Sequence, residues 1–225
     1  MRMYGEEAVM SDVDVVEAEV AAPAKFGRQE MRTKETRELL MAAAKTIFVR
    51  DGYEGTDLND IAELAGRTKG AIYGHFKSKE EIFLALVAEH RKQYQDRLTW
   101  LMSDSDVEQN IAVMRAFVLE LVEDSDWALL QLEFKMFALR HPEAKERFLS
   151  LFADLGADRE ERYTALLGPA GASERSISRA MAVHSVLPML TALLLEAKFE
   201  PGLMSPEAIQ KVIAEVFDCL VGSRE

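Results

Sequence analysis

The sequence predicts an all-α fold of about nine helices, a three-helix head followed by a larger helical body. Three observations predict it. Glycine and proline fall in clusters, the apolar residues between clusters repeat at helical spacing, and no stretch alternates convincingly enough to make a strand.

From Thr33, the run TKETRELLMAAAKTIFVRDG puts Leu39, Leu40, Ala43, Ala44, Ile47 and Phe48 on one face, and Gly52 follows the last turn as a helix-ending glycine. The next helix, in TDLNDIAELAG, takes Thr56 or Asp57 as N-cap and stops at Gly66. A short helix from about Thr68 to His75 follows. Ser78 opens a longer one, with Glu81 three residues on in capping-box spacing. Further helices are predicted over about 106–123, 127–140, 142–167, 173–197 and 206–221. Pro142 and Pro206 suit first helical turns, LGPAGAS at 167–173 reads as a loop, and Pro188 is expected to kink or distort its helix. Residues 1–24 hold six carboxylates and one arginine with little apolar pattern. The expected organisation is therefore an acidic, flexible extension over 1–30, a head over 31–77 and a body over 78–225.

Composition narrows the class. Apolar residues make up 48% of the chain, enough for a real core. The single cysteine, Cys219, excludes an internal disulfide and suits a reducing compartment. The acidic start is the opposite of a secretory leader, and the longest apolar run, LPMLTALLL at 187–195, is too short to cross a bilayer. A cytoplasmic protein with no membrane partner is expected. Four scattered histidines and one cysteine give no metal-ligand spacing, and no cofactor is implied. No nucleophile elbow, phosphate loop or dinucleotide fingerprint is present, so an enzyme is not expected.

Charge is uneven. The net charge is -12, yet Lys25 to Glu80 holds 11 basic and 9 acidic residues, a local +2 against -14 elsewhere. Inside that segment, AGRTKGAIYGHF (65–76) contains three glycines and no carboxylate. Two short helices joined by a glycine-containing turn make a helix-turn-helix, whose second helix can enter the major groove. A carboxylate there would face the phosphate field. Gly70, Ala71 and Gly74 allow close approach; Lys69 can donate to guanine, and Ala71 can touch a thymine methyl. Tyr73, His75, Lys77 and Lys79 can donate to phosphates. A helical hairpin serving only as core is the competing reading. Lys25, Arg28, Arg32 and Lys34 form either a basic arm for a neighbouring minor groove or a solvated linker.

Residues 52–83, through the Gly-Thr before the first short helix, DIAELAG, KGAIYGHF and KSKEEIF, resemble the DNA-binding region of the TetR family of bacterial transcriptional regulators, in its multidrug-efflux-repressor flavour. The resemblance covers residues 33–90. It implies a homodimer on a double-stranded DNA operator, with Arg67, Thr68, Lys69, Gly70, Ala71, Tyr73, His75, Lys77, Lys79, Asp57 and Asn59 at or near the DNA. Two departures stand out. Arg67 holds a place usually taken by a buried valine-like residue and is expected to swing outward, because a buried unpaired Arg is costly. Gly74 holds a place often taken by a bulky aromatic.

The resemblance also implies a cavity for a small apolar or aromatic effector, with Trp100, Phe117, Trp127, Phe134, Phe137 and His184 as candidate lining. For His184, on a mostly apolar helix, a satisfied core histidine is the stronger reading. The last two helices are expected to form the dimer seam through Leu187, Leu190, Leu194, Ile209, Val212, Ile213 and Val216. Cys219 is expected near that seam or as a plain buried thiol. The leading function is a DNA-binding repressor released by the effector; the alternative is a helical small-molecule-binding or scaffold protein without operator binding.

Overall fold

Side-chain caps set most helix starts. In the computed structural model, which describes residues 25–102, 106–150, 159–168 and 177–222, all regular structure is helical. α1 covers Lys25–Gly55, with helical geometry interrupted at Gly52 (φ 70°) where the expected stop falls. α2 (Leu58–Leu64) is capped by Asp57, whose carboxylate accepts from the Asn59 amide. α3 (Lys69–His75) is capped by Thr68 and α4 (Lys79–Leu101) by Ser78. The Glu81 carboxylate reaches back, but to the Lys77 amide at 2.6 Å, one residue beyond the capping-box position. α5 is Val107–Glu120, followed by one tight 3₁₀ turn, and α6 is Ser125–Arg140. α7 (Pro142–Ser150) and α8 (Arg159–Leu167) occupy the two ends of the single helix expected over 142–167. α9 (Arg179–Phe199) starts at its Ser178 cap and continues through Pro188; α10 (Pro206–Leu220) has Ser205 as cap and its proline in the first turn.

Ten helices are thus present among the described residues, against about nine expected. Helix α1 begins eight residues before Thr33, so the segment 25–34, expected as an arm or linker, is helical. The rest of the acidic extension (1–24), most of the 167–173 loop and the first residues of the helix expected over 173–197 lie outside the described residues.

The chain divides into residues 1–35 and a compact unit, 36–225. In the first, the described side chains from Gln29 to Glu35 are exposed along α1. The second holds two apolar cores. One joins α1–α4 to α6 and α7 through Leu40, Ile47, Phe48, Ile61, Ile72, Phe83, Leu130 and Phe148. The other joins α5, α6 and α8–α10 through Met114, Val118, Leu167, Val186, Ile209, Ile213 and Phe217. Helix α9 is the one described helix with the length and apolar content to cross a bilayer. Here it packs on α10, α6 and α8.

Within the first core, an aromatic joint ties α1 and α4 to α6. Tyr53, just past Gly52, packs on Phe83 (5.0 Å between centroids) and Phe137 (4.3 Å), and its amide donates to the Glu133 carboxylate at 2.8 Å. Arg37 pairs with Glu89 at 2.7 Å, and Lys45 with Asp124 at 3.4 Å. So α1 touches the body directly.

Candidate nucleic-acid interface and interior cavity

α3 is seven residues long and buries one of them, Ile72, with Phe76 buried just beyond its end. Everything else turns outward or sits half-exposed. Arg67, Thr68, Lys69, Gly70, Tyr73, Gly74 and Lys77 are exposed; Ala71 and His75 are half-buried. The strip is held firmly at its start, since the Thr68 hydroxyl accepts from the Ala71 amide at 3.2 Å. Arg67 does turn outward, donating to the Gly66 carbonyl at 3.1 Å and leaving the hairpin core apolar. A Cβ on Gly74 would meet nothing within 4 Å, so the place of the aromatic is open space.

Two DNA-site expectations change. Lys79 does not extend towards the α3 strip. Its ammonium donates to the Glu54 carbonyl (3.2 Å) and the Thr56 carbonyl (3.1 Å) and lies 4.8 Å over the Tyr53 ring. Those carbonyls end α1 and need donors, so Lys79 acts as a cap between α1 and α4. Asp57 is the N-cap of α2, where its carboxylate is occupied by an amide; Asn59 beside it is exposed.

Between the two cores lies a cavity of about 660 Å³. This falls within the range of small-molecule sites, about 300–1,000 Å³. Of the six candidate residues, Phe117, Trp127, Phe134 and His184 line it. Trp100 does not: it is 84% exposed, and Met102 lines the wall at that end of α4. Phe137 is buried in the aromatic joint instead, 4.3 Å from Tyr53. Sequence reasoning missed the α4 stripe Val87, His90, Tyr94, Leu98 and Met102, which recurs at helical spacing within a run rich in charge.

One corner is polar. His90 stacks on Trp127 (3.3 Å, 12°), and Tyr94 stands edge-on to His90 at 4.0 Å. The Tyr94 hydroxyl donates to Asp124 at 3.3 Å, while Lys45 pairs with Asp124 and lies 5.0 Å over the Trp127 ring. Burial, aided by the Lys45 charge, pushes the His90 imidazole down to about 3, so it is neutral. Burial and the neighbouring Asp124 push Tyr94 up. His90 Nε2 is shut away from solvent with no hydrogen-bond partner. His184 stands edge-on to Tyr163 at 5.4 Å.

The expected dimer seam changes most. Leu190, Leu194, Ile209 and Ile213 are buried within the chain's own core, and Leu187, Leu190 and Leu194 line the cavity. Only Val212 (43% exposed) and half-buried Val216 face outward, joined by Cys219, which is exposed and not buried. On α9 the exposed residues are Met181, Pro188, Met189, Ala192, Glu196, Lys198 and Phe199.

A capped, outward-facing helix free of carboxylates, set after a short helix and a glycine turn, defines a helix-turn-helix protein, here with a ligand-sized chamber behind it. Residues 40–86 match the family described as bacterial regulatory proteins, tetR family. It is 31% identical over 113 residues to the HTH-type transcriptional repressor AcnR of Corynebacterium efficiens, a match covering 50% of this chain and 56% of that one. It is 35% identical over 97 residues to the HTH-type transcriptional regulator TtgR of Pseudomonas putida, covering 43% and 46%. The chain thus spans about half the length of these relatives. Over the whole fold it resembles FadR of Bacillus subtilis in complex with stearoyl-CoA (TM-score 0.62, 17% identity, covering 83% and 99%). It also resembles SmeT in complex with triclosan (TM-score 0.58, 24% identity, covering 82% and 90%). SmeT is the repressor of the Stenotrophomonas maltophilia multidrug efflux pump SmeDEF.

Proposed function

We propose that the protein is a homodimeric DNA-binding transcriptional regulator, a repressor that leaves a palindromic operator when a small apolar effector fills the cavity. The outward strip of α3 carries the reading. It has donors and small residues and no carboxylate in an otherwise acidic chain, as a helix in the phosphate field requires. Lys69 reads a base, and Arg67, Tyr73, His75 and Lys77 position the helix on phosphates. The cavity's size and apolar walls support the effector, as do the stearoyl-CoA and triclosan found with structural neighbours. For the dimer, Met181, Met189, Val212 and Val216 leave an apolar face on adjacent helices α9 and α10, which a partner copy would cover.

Fluorescence anisotropy with DNA from beside its own gene tests the reading. Affinity should fall steeply with salt. Lys69→Ala should cost about 1–3 kcal/mol and relax preference at one base pair. Tyr73→Phe should weaken all sequences alike. Binding independent of salt, or of both residues, would leave the scaffold alternative standing. Sedimentation of a Met189→Glu, Val212→Glu variant should shift towards monomer; a wild type monomeric at micromolar concentration removes the dimer.

A further inference from the structure

One mouth of the cavity is amphipathic. Lys135 and Leu139 stand one turn apart on α6, and Lys145 and Leu149 one turn apart on α7. All four line the cavity and are also exposed, the leucines at 70% and 52%, so they mark where the chamber opens to solvent. Behind them, buried Phe134 and Phe148 pack at 4.4 Å between ring centroids and join α6 to α7. Half-buried Arg91 of α4 brings a third cation, its guanidinium 5.7 Å from the Phe148 ring centre.

The charge of this mouth runs against that of the chain. The net charge is -12, yet Arg91, Lys135 and Lys145 line the cavity against one carboxylate, Asp124. Asp124 lies about three turns back along α6, where it pairs with Lys45 at 3.4 Å and takes the Tyr94 hydroxyl at 3.3 Å. Nearby carboxylates are engaged elsewhere: Glu80 with Arg147, Glu89 with Arg37, Glu133 with the Tyr53 amide. Glu143 and Glu146 of α7 are exposed and do not line the cavity. A solvated rim would account for the lysines, since long cationic side chains keep their heads in water. It would not account for the two exposed leucines beside them. An amphiphile covers both, with an acid group on the ammoniums and its first methylenes on the leucines. Further in, Phe117, Leu187, Leu190 and Leu194 present an apolar wall for the rest of its body.

We infer that the cavity takes an anionic amphiphile, a carboxylate on an apolar body, with the carboxylate held at the α6–α7 mouth by Lys135 and Lys145. The inference rests on the effector reading and deepens it. It fixes the sign of the ligand's charge and the end of the chamber where that charge sits.

Titration of the full-length protein at neutral pH with decanoate, decan-1-ol and decylammonium, followed by tryptophan fluorescence, tests it. The three probes share a chain and differ in the charge at one end. Wild type should take decanoate most tightly and decylammonium least. In the Lys135→Gln, Lys145→Gln variant, decanoate should weaken about tenfold relative to decan-1-ol, the size expected of two exposed charge contacts. Retained decan-1-ol binding reports that the variant still folds. An unchanged ratio in the variant, or decylammonium bound by wild type as tightly as decanoate, overturns the inference while the apolar cavity stands. Failure of every probe to bind the folded wild type would sink the cavity reading itself, and this inference with it.

Discussion

At the scale of single residues, two side chains have roles that their chemical type does not announce. Lys79 stands in a basic stretch proposed to face DNA, yet its ammonium is held by two carbonyls at the end of α1. Lys79→Met should therefore lower unfolding free energy by about 1–3 kcal/mol, since hydrogen bonds to charged groups are worth that much. Lys69→Met, on the exposed strip, should leave stability unchanged. Urea titrations of the two variants decide the matter; unchanged stability in Lys79→Met would return the lysine to the DNA. His90 supplies a pH test. Its folded-state value is depressed to about 3 by burial and by Lys45. A depressed histidine contributes stability above its unfolded value, near 6.5, and loses it as pH falls towards 3. Between about pH 6.5 and 5, where few carboxylates titrate, His90→Phe should flatten the fall in stability by up to about 1.4 kcal/mol per pH unit. Identical slopes for wild type and variant would mean that His90 is protonated in the folded protein. Neither role was legible from sequence. A lysine near a binding strip and a histidine in a charged helix read the same whether they face solvent or core, and only tertiary contacts separate the cases.

At the scale of elements, local signals were reliable and facing directions were not. Asp57, Thr68, Ser78 and Ser205 cap the helices that follow them, and Gly52 breaks α1, because capping needs only residues adjacent in sequence. Helix α9 shows the limit. It is apolar nearly all round, so periodicity cannot say which side meets the core, the cavity or a partner. That is why Leu190 and Leu194, expected at a seam, lie inside, while Met181 and Met189 face out. Trp100 fails for a related reason, since near the end of α4 it stands 84% exposed. Two glycines predict opposite signs. Gly52 has φ 70° and ψ 179°, a region open essentially to glycine, and an added Cβ would sit 3.3 Å from the Glu133 carboxylate that holds the Tyr53 amide. Gly52→Ala should cost about 1–3 kcal/mol. Gly74→Ala, with nothing within 4 Å and a helical backbone, should gain about 0.5–1 kcal/mol. Thermal melts of the pair check both; a neutral Gly52→Ala would show that the α1–α6 joint is slack.

At the scale of the molecule, a ligand can govern DNA binding only if it favours one arrangement of the heads over the other. The cavity lies between the two cores, and two paths lead from it towards α3. One is α4, which carries His90 and Tyr94 in the wall and starts beside α3 at Ser78. The other is α1, tied to the cavity's polar corner through Lys45 and Asp124 and to α6 through Tyr53 and Glu133. A ligand body that reaches that corner therefore touches the partners of both helices. The heads of a dimer have to fit successive turns of the groove, so a shift of a few ångströms defeats simultaneous docking. The coupling needed is about 1–3 kcal/mol, a 5- to 150-fold change in affinity. Linkage requires the effect to be mutual, so operator DNA must weaken ligand binding by the same factor. Calorimetry with decanoate, with and without saturating operator, should show that loss in wild type. In Lys45→Met the loss should shrink, because one of the two paths is cut, while ligand affinity for the free protein changes little. Equal affinity in the two wild-type titrations would mean that the chamber binds its ligand without governing the heads.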